Sequence, residues 1–135
     1  MPKQANIVVK APDNSDVTFT ALSGSAGDRV PAIYRNDSDG TLPLGMRPTF
    51  RIATQDNGPK TARRLTVDGV WPTVYTDTQT GQKGVLARIP LHLELTLPTN
   101  ADAYSVGFYS SILLALCAST AVKDSAVAGY APTSA

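Results

Sequence analysis

The sequence predicts an α+β fold: an antiparallel sheet of about six strands, including an N-terminal hairpin, followed by two C-terminal helices on one face. Three observations predict it. Residues Leu91–Pro98 read Leu-His-Leu-Glu-Leu-Thr-Leu-Pro, four leucines alternating with His92, Glu94 and Thr96. A strand projects successive side chains to opposite faces, so this segment has one oily face and one polar face. After Pro98-Thr99-Asn100 the period changes: Phe108, Ile112 and Leu116 recur at a spacing of four, with Tyr109 and Leu113 beside them, as on a helix face. Finally, links of hairpin length separate the earlier apolar runs. Strands first and helices last is the order of an antiparallel sheet with helices on one face.

Each element has its own signal. Ile7–Lys10 is a short apolar run closed by the turn-forming cluster Ala11-Pro12-Asp13-Asn14-Ser15-Asp16. Val17–Ser23 alternates Val17, Phe19 and Ala21 with Thr18 and Thr20. Val30–Arg35 contains Pro31, which places it near an edge. Arg47–Gln55 puts Phe50 and Ile52 on one face, with Thr49, Arg51 and Ala53 on the other. Asp56-Asn57-Gly58-Pro59 is a turn, so Lys60–Val70 pairs back as a hairpin. On that return strand Leu65 and Val67 share one face, and Arg64, Thr66 and Asp68 the other. Trp71-Pro72 is expected to end or bend it. Thr76, Asp77, Thr78, Gln79, Thr80, Gly81, Gln82, Lys83 and Gly84 form a long polar loop, expected to be exposed and mobile. Val85–Leu97 is the last strand. Thr99 or Asn100 caps a helix running to about Ser119, with Asp102 in its first turn where the helix dipole favours an acid. A second helix, Ala121–Ala128, stops at Gly129.

Length and composition bound the function. The 135 residues make one domain: strands over 1–98, two helices over 99–129 and a tail over 130–135. A net charge of +1 implies no partner by itself. A lone cysteine excludes an internal disulfide framework and a multi-cysteine zinc site, and Cys117, in an apolar helical run, reads as a small buried hydrophobe. No cofactor or metal is expected. The N-terminus lacks the apolar stretch of a signal peptide. Ala103–Val122 carries no charge, but serines, Gly107 and Thr120 dilute it below the apolarity of a membrane span. An uncharged helix then implies burial on most sides. One small sheet cannot provide that cover, and a second copy of the chain is the simplest source of it.

Catalysis has little support. His92 and Glu94 share a face about 7 Å apart by strand rise, a pairing suited to acid–base work, but no nucleophile or second histidine completes a set. Charge is more informative. Acids cluster in the loops (Asp13, Asp16, Asp28, Asp37, Asp39, Asp77), while Arg47, Arg51, Lys60, Arg63, Arg64 and Arg88 lie on or beside strands. Strand parity puts Arg51, Arg64, Arg88, His92 and Glu94 on the open face with Thr49, Thr66 and Thr96. Such a face suits phosphate and sugar contacts.

Several segments together resemble the coat proteins of single-stranded RNA bacteriophages, the levivirus type. They are the basic hairpin ending in Lys60-Thr61-Ala62-Arg63-Arg64-Leu65-Thr66-Val67, the polar loop after it, Leu93-Glu94-Leu95-Thr96-Leu97-Pro98, and the two closing helices. The resemblance covers about Val17 to the C-terminus. It implies an interlocked homodimer whose sheets join edge to edge and whose helices cross the partner's sheet, giving Phe108, Ile112, Leu113 and Leu116 a dimer-interface role. It implies that dimers build an icosahedral shell in the virion, assembled in the bacterial cytoplasm, with the open sheet face turned inward to genomic RNA. The loop Thr76–Gly84 would take different conformations around the symmetry axes. Carried over by position, the RNA-binding residues are Thr49, Arg51, Lys60, Arg64, Thr66, His92 and Glu94, to which the strand parity adds Arg88. An RNA operator hairpin that represses replicase translation is a further implied partner. Ala53 and Pro90 stand where a basic residue and a stacking aromatic would be expected, so nonspecific packaging is the simpler expectation. The alternative is a non-assembling RNA-binding dimer that uses the same face.

Overall fold

A computed structural model describes residues 3–38, 40–56, 59 and 61–133. Six strands, β1 (Ile7–Lys10), β2 (Asp16–Ser23), β3 (Ala32–Arg35), β4 (Thr49–Asp56), β5 (Ala62–Thr76) and β6 (Lys83–Pro98), precede α1 (Ala103–Cys117) and α2 (Thr120–Ala128). The sheet is an antiparallel meander in which every strand pairs with its sequence neighbour. The N-terminal hairpin closes through Asn14 at φ 71°, a conformation asparagine tolerates better than most residues. The backbone N–H of Asn14 donates to the Ala11 carbonyl at 2.9 Å.

Register fixes the two faces. Phe50, Ile52 and Thr54 of β4 stand opposite Gly69, Val67 and Leu65 of β5. These in turn oppose Leu91, Leu93 and Leu95 of β6. This is the apolar face. Near its centre Phe19, Tyr34, Phe50 and Trp71 form an aromatic cluster with ring centroids 6.0–6.2 Å apart. Tyr34, 6 % exposed, is the one buried hydrophobic among the described residues.

Four expectations need correction. β3 begins at Ala32 because Pro31 has no N–H for the ladder; the backbone N–H of Val30 turns instead to the Gly27 carbonyl. β5 does not stop at Trp71-Pro72. β4 ends its pairing at Val70, so beyond that point β5 bonds only β6, and the prolyl nitrogen of Pro72 falls where no β4 partner exists. The β5–β6 ribbon therefore extends to the pair Thr76–Lys83, which shortens the polar loop to residues 77–82. Asp77 shapes that turn by accepting from the backbone N–H of Gln79 at 2.8 Å. Lastly, Asp102 is the α1 cap itself, accepting from the Ser105 backbone N–H at 3.1 Å. Thr99 instead ties the end of β6 to β5 through the Thr61 carbonyl.

The helices leave most of their own sheet uncovered: α1 meets it chiefly at β6. Ile89 and Leu91 of the apolar face remain exposed, as do Phe108, Ile112, Leu113 and Leu116 of α1. Cys117, expected buried, is exposed. Residues 103–128 are long and apolar enough by composition to cross a membrane. They break at Ala118-Ser119, however, and the 15 residues of α1 reach only about 22 Å, short of a hydrocarbon core of about 30 Å.

Candidate nucleic-acid interface

The second face of the sheet is polar. Thr49, Arg51, Ala53 and Gln55 of β4 oppose Val70, Asp68, Thr66 and Arg64 of β5. Arg64, Thr66, Asp68, Val70 and Pro72 oppose Thr96, Glu94, His92, Pro90 and Arg88 of β6. Parity thus brings seven of the eight expected RNA-binding residues to one surface: Thr49, Arg51, Arg64, Thr66, Arg88, His92 and Glu94. Lys60 lies outside the described residues. Ala53 and Pro90, the two departures, are on the same face.

The charges there are arranged as a chain. Arg64 Nε lies 2.8 Å from Glu94 Oε1, reaching diagonally from β5 to β6. Glu94 Oε2 is 3.8 Å from His92 Nε2, and His92 Nδ1 is hydrogen-bonded to Asp68 Oδ1 at 2.6 Å. Diagonal and opposed side chains on antiparallel strands are within this reach. The Asp68 carboxylate, by its hydrogen bond and then by its charge, raises the His92 pKa above the ordinary 6.5, and Glu94 adds to the effect. Arg51 stands opposite Asp68 in register, and among the described residues it closes no ion pair. Thr49, Arg51, Asp68 and Val70 line a recess of about 300 Å³.

The face is less basic than a count of hairpin arginines implies. Arg63 has the opposite parity and holds Asp28 and Asp56, each at 2.6 Å. Arg47 is drawn to Asp37 at 2.8 Å, and Arg35 grips the same carboxylate through two nitrogens at 2.6 and 3.2 Å. These two guanidiniums hold Asp37 below the ordinary carboxylate range, the Arg35 hydrogen bond first. On β4–β6 the polar face keeps three guanidiniums, of Arg51, Arg64 and Arg88, against the carboxylates of Asp68 and Glu94. Asp68 was missed as a site residue, although its parity with Arg64 was readable; its significance is the partner it makes for His92.

The expected loop and interface residues are placed as follows. Asp77, Thr78, Gln79, Thr80, Gly81 and Gln82 form the tip of the β5–β6 ribbon, while Thr76, Lys83 and Gly84 belong to its ladder. Gly84 pairs with Tyr75, and a Cβ on it would come within 2.7 Å of the Tyr75 hydroxyl and 2.8 Å of its ring. Leu86 bulges out of the register between Val85 and Ala87 and is 75 % exposed. Leu93 and Leu95 line an apolar groove with Leu113, Leu114, Leu116 and Cys117.

Solved structures match this architecture along nearly its whole length. The virus-like particle of Beihai levi-like virus 21 superposes with a TM-score of 0.78 at 16 % identity, over 99 % of this chain and 100 % of its own. The chain has the levivirus coat-protein fold. The bacteriophage EMS014 coat protein gives 0.77 at 13 % identity over 98 % of this chain and all of its own. The bacteriophage GA capsid protein gives 0.72 at 15 % identity over 93 % and 94 %. No family model and no curated protein sequence matches. At such identities the likeness is one of fold, preserved while most side chains have changed.

Proposed function

We propose that this chain is the structural coat protein of a single-stranded RNA phage. It dimerises, assembles into an icosahedral shell in the bacterial cytoplasm, and encloses genomic RNA in the virion against the polar sheet face; it has no enzymatic role. The observation that carries the reading is the surface left uncovered. The chain exposes 9927 Å², whereas a compact monomer of 14.2 kDa exposes about 6,800 Å². The excess, roughly 3,000 Å² per chain or about 6,000 Å² for a pair, lies at the upper end of obligate interfaces.

The place of that interface follows from the edges. β6 is 16 residues long, and among the described residues no strand lies beyond it in the sheet. A long edge with apolar neighbours is an aggregation site unless paired. Pairing β6 with β6 of a second copy about a two-fold axis closes it and makes one continuous sheet. The α1 face of Phe108, Ile112, Leu113 and Leu116 then covers the partner's exposed leucines, and Cys117 is buried with them. The neighbours of this fold are capsid proteins and virus-like particles, which supports assembly beyond the dimer.

RNA contact rests on Arg51, Arg64 and Arg88, with Thr49 and Thr66 as hydroxyl partners and His92 and Glu94 between them, and with Lys60 as a further cation. Asp68 joins this set. Binding of an operator hairpin would use the same surface, including the recess beside Arg51. Sedimentation of the full-length chain after expression tests the whole reading: a fast particle with nucleic-acid absorbance at 260 nm is expected, and a monomer at high concentration in physiological salt overturns it.

A further inference from the structure

The chain of ion pairs on the polar face has a titratable link in its middle. His92 lies between two carboxylates, Asp68 at 2.6 Å and Glu94 at 3.8 Å. Its side chain is 63 % exposed, so protons reach it from solvent. The charged groups that share its surface are Arg64 and Asp68 on β5, Glu94 and Arg88 on β6, and Arg51 one strand further away on β4. Among the described residues no helix packs on this face; α1 meets β6 from the apolar side, at Leu93 and Leu95. We propose that His92 gates the affinity of this face for polyanions: protonated, it offsets Asp68 and Glu94 and opens the face to RNA phosphates; neutral, it leaves both carboxylates to repel them. The inference rests on the reading of this surface as the RNA-binding one and adds its regulation.

The argument is electrostatic. With His92 neutral, three guanidiniums face two carboxylates and one net positive charge remains. Protonation doubles it. Glu94 is shared between Arg64 and His92, so a charged imidazole also relieves Arg64 of part of its task and frees that guanidinium for a phosphate. Each positive charge that meets a single-stranded phosphate adds about 0.7 to the slope of log affinity against log salt. At 0.1 M salt this corresponds to about a fivefold change in affinity for each His92 engaged. The neighbouring carboxylates favour the charged imidazole, which moves the transition above the ordinary histidine range.

The test uses the full-length chain, kept as dimers at low concentration, and a fluorescein-labelled 20-nucleotide oligouridylate followed by anisotropy from pH 5.5 to 8.5 at constant ionic strength. The wild-type chain should lose about fivefold or more in affinity as pH rises, with a shallower salt slope at high pH. His92→Gln should bind at every pH as the wild type does at pH 8.5. Asp68→Asn, which removes the closest charge holding the proton, should keep a transition but move it to lower pH. A pH-independent wild-type affinity, or an unchanged transition in His92→Gln, overturns the gate while leaving RNA binding intact. Absence of oligonucleotide binding at any pH in 50 mM salt overturns both the gate and the RNA-face reading beneath it.

Discussion

Arg64 and Glu94 neutralise each other diagonally across β5 and β6, with Nε 2.8 Å from Oε1, while Arg51, one strand away, closes no ion pair among the described residues. The two arginines therefore differ as phosphate ligands. Arg51→Ala should weaken oligouridylate binding about fivefold at 0.1 M salt and reduce the salt slope by about 0.7. Arg64→Ala should cost more, because it also leaves the Glu94 carboxylate unpaired to repel phosphate. Glu94→Gln should strengthen binding. Equal losses for the two alanine variants, or weaker binding by Glu94→Gln, would contradict the ordering.

The α1 face should govern assembly. Leu113→Asp would place a carboxylate in an interface of leucines, where an unpaired charge costs several kcal/mol. Light scattering after size exclusion should find no particles from this variant and a small species in their place. Particles of wild-type size from Leu113→Asp would place the dimer contact elsewhere.

Within the subunit, the aromatic cluster is the main internal packing. Phe50 touches Phe19 and Tyr34 from the centre of the apolar face. Phe50→Ala should destabilise by about 3 kcal/mol, measured as a lowered urea midpoint at fixed protein concentration. With folding linked to the proposed dimerisation, the midpoint of the wild type should itself rise with concentration.

Asp37 ties β3 to the segment before β4 through Arg35 and Arg47. Its pKa is lowered from 3.8, so the unfolded chain takes up this proton first as pH falls. The stabilisation is fully present above pH 3.8 and disappears as pH drops through the depressed native value. Melting temperatures of wild type and Asp37→Asn should differ at neutral pH and converge under acid conditions. A gap that persists unchanged below the native value would place the stabilisation elsewhere.

The ribbon offers a steric test. Gly84→Ala puts a methyl against the Tyr75 ring, so Tyr75 must swing away; Tyr75→Ala should relieve the defect in the double variant. Additive losses in melting temperature would show that the glycine matters for another reason.

Much of this was legible from period-two patterning. The alternation of Leu91–Leu97 gave both the last strand and the sidedness of the sheet. Because parity propagates through an antiparallel register, it also grouped Arg51, Arg64, Arg88, His92 and Glu94. What escaped were facts that depend on which strand has a neighbour and which does not. Pro72 looked like a terminus because a proline breaks a central strand, yet β5 is unpaired on one side there. Arg47 and Arg63 looked available because their carboxylates, Asp37, Asp28 and Asp56, come from turns and strand ends whose placement no local pattern reveals. Cys117 reads as a buried residue, and Phe108 and Leu113 as interface residues by resemblance alone. Their apolarity was read correctly, but a single chain does not contain what covers them.

Negative-stain electron microscopy of the expressed, purified full-length protein tests the central claim most directly. Closed, uniform shells containing RNA are the predicted result. A field without particles, from protein that is folded, concentrated and in physiological salt, would contradict it.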